Sequence, residues 1–248
     1  MLNESPLKGK TVVVTGSSVT TTVLQKIEQL GGEAIACPLI KTVEILDPLD
    51  HIQLEKAKHF DWMIFTSQNA VEAFCAKMKR HKLTPSQFTV KIAAVGSKTR
   101  DILVNYGFCV DFVPTTFSAD VFVQEFPKVA KQDSSCLFVR GKKAKNTIKN
   151  GLPNFVSEWN VYDTEENDHY IEQLINLIQN REEPILLFAS PSAVNVYALH
   201  IAPLIGWRKV KIACIGHITA KAIKNYGATV SYQPKTYTME AVIYEIIK

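Results

Sequence analysis

The chain repeats itself. The block Ile92-Ala93-Ala94-Val95-Gly96-Ser97-Lys98-Thr99 returns as Ile212-Ala213-Cys214-Ile215-Gly216-His217-Ile218-Thr219, an offset of 120 residues (212 − 92). The offset persists from Tyr106-Gly107 to Tyr226-Gly227, from Pro114 to Pro234 and from Phe117-Ser118 to Tyr237-Thr238. Upstream, Phe65-Thr66-Ser67-Gln68-Asn69-Ala70-Val71 matches Phe188-Ala189-Ser190-Pro191-Ser192-Ala193-Val194, and Val13-Val14-Thr15-Gly16 more faintly matches Phe138-Val139-Arg140-Gly141. Ordered matches at a nearly constant offset mean two similar halves, so whatever one half folds into the other must also fold into.

Each half alternates short apolar runs with longer amphipathic ones. Thr11–Thr15, Trp62–Thr66, Lys91–Val95, Val110–Val113, Cys136–Val139, Ile185–Ala189, Lys211–Ile215 and Thr229–Tyr232 are short and nearly all apolar or β-branched. Such runs are the mark of strands buried on both faces of a parallel sheet. Between them Val19–Leu30, Ala70–Met78, Lys98–Tyr106, Ala193–Leu199, Thr219–Tyr226 and Met239–Ile247 carry helical spacing. Ser190 before Pro191 reads as an N-cap with Pro at the first helical position. Gly31, Gly107 and Gly227 stand just after helices, where a left-handed residue is wanted. The expected fold class is α/β: two similar domains, each a parallel, doubly wound sheet.

Composition narrows the function. The 248 residues are 46% hydrophobic and 21% charged with a net charge of +4, an ordinary globular balance. Five dispersed cysteines (Cys37, Cys75, Cys109, Cys136, Cys214) without a Cys-x-x-Cys pair point to reduced thiols rather than a disulfide framework or zinc ribbon. The N-terminal residues lack a signal-peptide pattern, and the apolar stretch Val196–Trp207 is short and broken by His200 and Pro203. A soluble, cytoplasmic protein is expected, with no membrane partner. The one basic concentration, Arg140, Lys142, Lys143, Lys145 and Lys149, reads as a solvated helix face or as a cluster drawing in a small polyanion. It lacks the interleaved aromatics of a nucleic-acid surface, so no nucleic-acid partner is expected.

Familiar catalytic signatures are missing. The turn Val14-Thr15-Gly16-Ser17-Ser18 has one glycine where a dinucleotide turn needs three, and no Gly-Lys-Ser/Thr loop occurs. The six histidines form neither an i, i+4 pair nor a cluster with cysteine, so neither metal nor cofactor is expected. What stands out is polar residues where strands end and helices begin: Ser67 and Asn69, Gly96, Lys98 and Thr99, Ser118, Ser190 and Ser192, Gly216 and Thr219, and Thr238. In open α/β sheets ligands bind outside the carboxyl ends of the strands, and helix N-termini hold anions. Each such residue also reads as a plain N-cap. Having one set per half favours two facing binding edges.

These residues resemble the uroporphyrinogen-III synthase family over nearly the whole chain. Asp61 through Val71, Ala94-Val95-Gly96 with Thr99, and Pro114 with Phe117-Ser118-Ala119 carry the likeness. Leu137 through Gly141, Tyr162 with Thr164, Phe188 through Val194, Ile215-Gly216 with Thr219-Ala220, and Pro234 with Tyr237-Thr238 continue it. Two departures stand out: His217-Ile218 where the family often has Pro-Thr, and Arg100 after Thr99 where a small residue is usual.

The resemblance implies a discontinuous domain one, residues 1–41 plus 165–248, and a domain two, 42–164, joined by a two-stranded β ladder at 37–45 and 159–164 that permits hinge motion. It implies a lyase of tetrapyrrole biosynthesis that closes hydroxymethylbilane to uroporphyrinogen III with ring D inverted and water lost. Tyr162, a phenol on the crossing strand, is the best candidate for the acid, and it also reads as a half-buried aromatic packing on the ladder. Thr99 and Thr219 are the first substrate-binding candidates, Ser67, Asn69, Ser190 and Ser192 the second, and Lys98 and Arg140 the expected carboxylate partners. Gly96, Gly216, Ser118 and Thr238 complete the binding turns. A monomer is expected, with the upstream bilane-forming enzyme its one protein partner in view. Two other readings stay open: a two-lobed small-ligand binding protein without catalysis, and a nucleotide-dependent enzyme.

Overall fold

The computed structural model describes residues 5–17, 21–153 and 155–248. Ser18, Val19 and Thr20, at the start of the first expected helix, lie outside them. The chain folds as two compact units, Met1–Lys41 with Glu165–Lys248, and Thr42–Thr164. We refer to them as units 1 and 2.

In chain order, β1 (Thr11–Val14), α1 (Thr21–Gln29) and β2 (Glu33–Ala36) begin unit 1, and β3 (Ile40–Glu44) leads into unit 2. There follow α2 (Asp50–Ala57), β4 (Trp62–Phe65), α3 (Gln68–Arg80), β5 (Lys91–Ala94), α4 (Ser97–Asn105), α5 (Ala119–Glu125), β6 (Ser135–Gly141) and α6 (Thr147–Gly151). The twelve-residue β7 (Phe155–Glu166) returns the chain to unit 1, which ends with α7 (Asp168–Asn180), β8 (Ile185–Phe188), α8 (Pro191–Val196), α9 (Ala202–Ile205), β9 (Lys211–Cys214), α10 (His217–Asn225) and α11 (Met239–Ile246).

Unit 1 has the sheet order β2-β1-β8-β9 and unit 2 the order β3-β7-β6-β4-β5. Strands β2-β1-β8-β9 and β7-β6-β4-β5 pair in parallel throughout, so the repeat in sequence is a repeat in topology. The expected ladder is β3 beside β7, and it grows from the edge of the five-stranded sheet.

Strand pleating explains why the runs are apolar without alternation. In β4, Trp62 and Ile64 enter one core while Met63 and Phe65 enter another on the opposite face. In β8, Ile185 and Leu187 divide from Leu186 and Phe188 in the same way. Successive side chains point to opposite faces, and helices cover both.

Val110–Val113 and Thr229–Tyr232 do not form the strands their composition predicts. Each contributes a single parallel bridge, Phe112 to Ala93 and Tyr232 to Ala213. The reason is the same in both halves. Asp111 Oδ2 accepts from the Ile92 amide at 2.8 Å, and Ser231 Oγ from the Ile212 amide at 3.2 Å, so a side chain takes the donor that a longer ladder would use. Gly107 and Gly227, at φ 94° and 74°, are left-handed as their place after helices predicts.

The helix expected at Ala193–Leu199 also differs. After α8, residues Tyr197–Ile201 widen into a π turn before α9. Pro203 has no amide to give to an i→i−4 ladder, and the wider turn absorbs the mismatch.

Candidate functional site

In unit 2 the turns after β4 and β5 lie side by side, because those strands are neighbours. Ser67 caps α3, its Oγ accepting from the Ala70 amide at 3.2 Å. The same Oγ lies 3.2 Å from Tyr162 Oη, joining residues 95 apart in sequence. Tyr162 is half-buried and packs against the core of unit 2. Its place follows from Gly141. Gly141 pairs with Tyr162 across β6 and β7, beside a bulge at Arg140/Gly141. A Cβ on Gly141 would stand 2.7 Å from Tyr162 Cε2 and 2.8 Å from Oη, so only glycine leaves room for the ring over that backbone. Gly141 belongs to the repeat, but a window of sequence does not show it as the floor beneath a phenol.

The helix N-termini fall into two groups. Ser67, Ser118, Ser190 and Thr238 each accept from the amide three residues on, at 3.2, 3.2, 3.4 and 3.1 Å. They act as N-caps, which satisfies one otherwise free donor per helix. Gly96 and Gly216 cap α4 and α10 with no side chain at all. No side chain caps the first-turn amides of these two helices, and the helix dipole there favours negative charge. Thr99 and Thr219, the third residue of each, are buried and line the inner side of the turn.

Other candidates sort by geometry. Asn69 Nδ2 donates to Thr42 Oγ1 at 3.1 Å, a partner on the crossing strand that the sequence did not suggest. Lys98 is exposed and Ser192 half-buried. Arg140 is 5% exposed, on a strand rather than the solvated helix face expected of this basic stretch. Its guanidinium binds Glu158, Asn146 and the Ala144 carbonyl, which directs its charge to ordering the loop after β6. Burial pushes Glu158 up, but Lys149 and Arg140 outweigh it and hold the carboxyl below the usual range. In unit 1, His217 Nδ1 and Tyr237 Oη lie 3.0 Å apart at the start of α10.

Ser67, Gly96, Ser190 and Gly216 each follow the carboxyl end of a strand, and Arg140 and Gly141 close β6. A cavity of about 510 Å³ lined by Cys75, Met78, Lys79, Lys82 and Tyr106 sits at the other edge of unit 2, where α3 and α4 end, and contains none of them. Burial pushes the thiols of Cys37, Cys75 and Cys136 up to about 12, too high for nucleophiles at neutral pH. Among the described residues no group of three or more His, Cys, Asp or Glu is placed to hold a metal ion, and no helix is long and apolar enough to cross a membrane.

The profile of the family described as "Uroporphyrinogen-III synthase HemD" matches residues 21–244. The chain belongs to the uroporphyrinogen-III synthase family. It is 27% identical to "Uroporphyrinogen-III synthase, chloroplastic" of Oryza sativa subsp. japonica, over 98% of this chain and 82% of that one. It is 26% identical to "Uroporphyrinogen-III synthase" of Synechococcus elongatus, over 98% and 96%. A crystal structure of mutant uroporphyrinogen III synthase from the extremely thermophilic bacterium Thermus thermophilus shares the fold, with a TM-score of 0.66 at 16% identity, covering 94% of this chain and 96% of that one. The two-domain α/β architecture is thus the family's own, and the binding-protein and nucleotide-enzyme readings are not favoured.

Proposed function

We propose that the chain closes hydroxymethylbilane to uroporphyrinogen III in haem biosynthesis, acting as a lyase in the cytoplasm, as a monomer supplied by the bilane-forming enzyme. Membership of the family carries the assignment, and the phenol at the edge of unit 2 supports the chemistry. The bilane ends in a hydroxymethyl group on an electron-rich pyrrole. Transfer of a proton from Tyr162 to the departing hydroxyl breaks the C–O bond, releases water and leaves an azafulvenium cation. The substituted carbon of the terminal ring attacks that cation to form a spiro intermediate. This reopens and rejoins with ring D inverted, and loss of a ring proton restores aromaticity. The pyrroles supply the electrons, so the protein's task is to hold the ends and aid departure of one hydroxide.

Phenols keep their proton at neutral pH and so suit this role. Ser67, on the same edge, fixes the phenol's direction. The free amides of α4 and α10, with Thr99 and Thr219 behind them, suit the substrate's carboxylates. Incubation with hydroxymethylbilane, oxidation and separation of the porphyrin isomers should give the type III isomer, undiminished after exhaustive chelation. Type I alone would overturn the assignment.

Gly141 offers a second test. In Gly141→Ala the added methyl displaces the Tyr162 ring and breaks its contact with Ser67. Overpacking of this kind costs about 1–3 kcal/mol of stability. Turnover should fall at least tenfold while the urea midpoint shows a folded protein. Full activity with the methyl in place would mean the phenol's position is not needed.

A further inference from the structure

We infer that His217, held by Tyr237, binds a substrate carboxylate at the edge of unit 1, a contact that unit 2 does not have. The inference rests on the proposed reaction, whose substrate carries eight carboxylates.

The pair is built rather than incidental. His217 is the first residue of α10 and its side chain is exposed. Its Nδ1 lies 3.0 Å from Tyr237 Oη, with ring centroids 5.4 Å apart. The Tyr237 ring rests on Gly216, where a Cβ would stand 3.0 Å from Cγ and 3.1 Å from Cδ1. Tyr237 is 54% exposed, and its hydroxyl holds the imidazole over the start of α10. Tyr237 Oη can donate to Nδ1, and in that tautomer the other ring nitrogen carries the N–H, for which no partner is found among the described residues.

The repeat supplies an internal control. Residues 120 earlier are Ser97 for His217 and Phe117 for Tyr237. Phe117 is 57% exposed and does not approach Gly96, around which a Cβ would meet nothing within 4 Å. Unit 2 folds the same strand-turn-helix without the pair, so folding does not require it. The His217 imidazole and the uncapped amides of α10 lie on one turn, suited to a propionate or acetate side chain.

The test compares His217→Ala, His217→Gln and Tyr237→Phe. Hydrogen bonds to charged groups are worth about tenfold or more in affinity, so His217→Ala should raise KM for hydroxymethylbilane about tenfold, with the effect on KM rather than kcat. His217→Gln keeps an N–H at similar reach and should recover most of it. Tyr237→Phe frees the imidazole and should raise KM about threefold, within the range of one neutral hydrogen bond. Affinity for uroporphyrin III, read by fluorescence quenching, should weaken in the same order. An unchanged KM and affinity in His217→Ala, or equal losses in the Ala and Gln variants, would overturn the inference while type III product from the wild type leaves the reaction standing. A wild type that binds the porphyrin but makes no type III product would overturn the reaction, and the affinity series would still judge His217.

Discussion

Tyr162→Phe should slow turnover of hydroxymethylbilane by at least about 10²-fold, the lower part of the range for a general acid. The substitution keeps the ring that fills the space over Gly141 and removes only the oxygen that meets Ser67 at 3.2 Å. The lost hydrogen bond is worth about 1 kcal/mol, so the urea midpoint should move little. Single-turnover measurements with the bilane separate the chemical step from binding, and the loss should appear in that step with KM nearly unchanged. Thr99→Ala and Thr219→Ala should cost less, because the first-turn amides of α4 and α10 survive the loss of a hydroxyl. Ser67→Ala should fall between: it removes the phenol's partner and the N-cap of α3 together. Near-normal turnover by Tyr162→Phe would mean that a different group or a bound water protonates the leaving hydroxide, and that Tyr162 serves packing.

Lys77→Met should destabilise unit 2 by about 3–5 kcal/mol, the usual cost of removing one partner from a buried ion pair. Lys77 lies within α3 and is fully buried, an exceptional setting for an ammonium group. Its Nζ is 2.7 Å from Asp50 Oδ2 and 3.3 Å from Glu44 Oε1, and it donates to the Ile45 carbonyl. The lysine therefore ties the segment from the end of β3 to the start of α2 onto α3. Methionine fills similar volume, but Asp50, only 2% exposed, loses its close cation, since Arg80 stays 3.9 Å away. Glu44 keeps Arg80 at 2.7 Å. Adding Asp50→Leu to Lys77→Met removes the stranded charge and should restore much of the loss, because replacing both partners is often close to neutral. Urea unfolding of the two variants checks this, and a loss below about 1 kcal/mol in Lys77→Met would contradict it.

Acid should be the sensitive direction for the same cluster. Burial pushes the Glu44 carboxyl up, but hydrogen bonds and charge from Arg80 and Lys77 outweigh it and hold the group below the ordinary carboxylate range. A carboxyl lowered on folding adds stability that is present above its unfolded value, about 4.3, and is lost as pH falls from there through the folded value. Urea midpoints between pH 7 and 3 should show the decline, and Glu44→Gln should flatten part of it.

The repeat, the α/β class and the position of nearly every turn that carries a candidate residue are readable along the chain. These are local properties. Period-two burial, N-caps such as Ser190 before Pro191, and left-handed glycines after helices depend on neighbours a few residues away. Which candidates make contacts beyond capping is decided by partners distant in sequence. Ser67 meets Tyr162 across 95 residues, and the floor beneath that phenol depends on a bulge in β6 that brings Gly141 opposite it. Arg140, which belongs to a basic run when read along the chain, turns inward to Glu158 because strand pleating sends it there. Lys77 reads as one more charged residue on an amphipathic helix, yet packing of the β3–α2 segment closes over it. The apolar runs at Val110–Val113 and Thr229–Tyr232 had strand composition, but Asp111 and Ser231 reach across to the amides a ladder would need. In each case the outcome depends on register and on side chains that meet only after the sheets have formed, and neither is encoded in a window of adjacent residues.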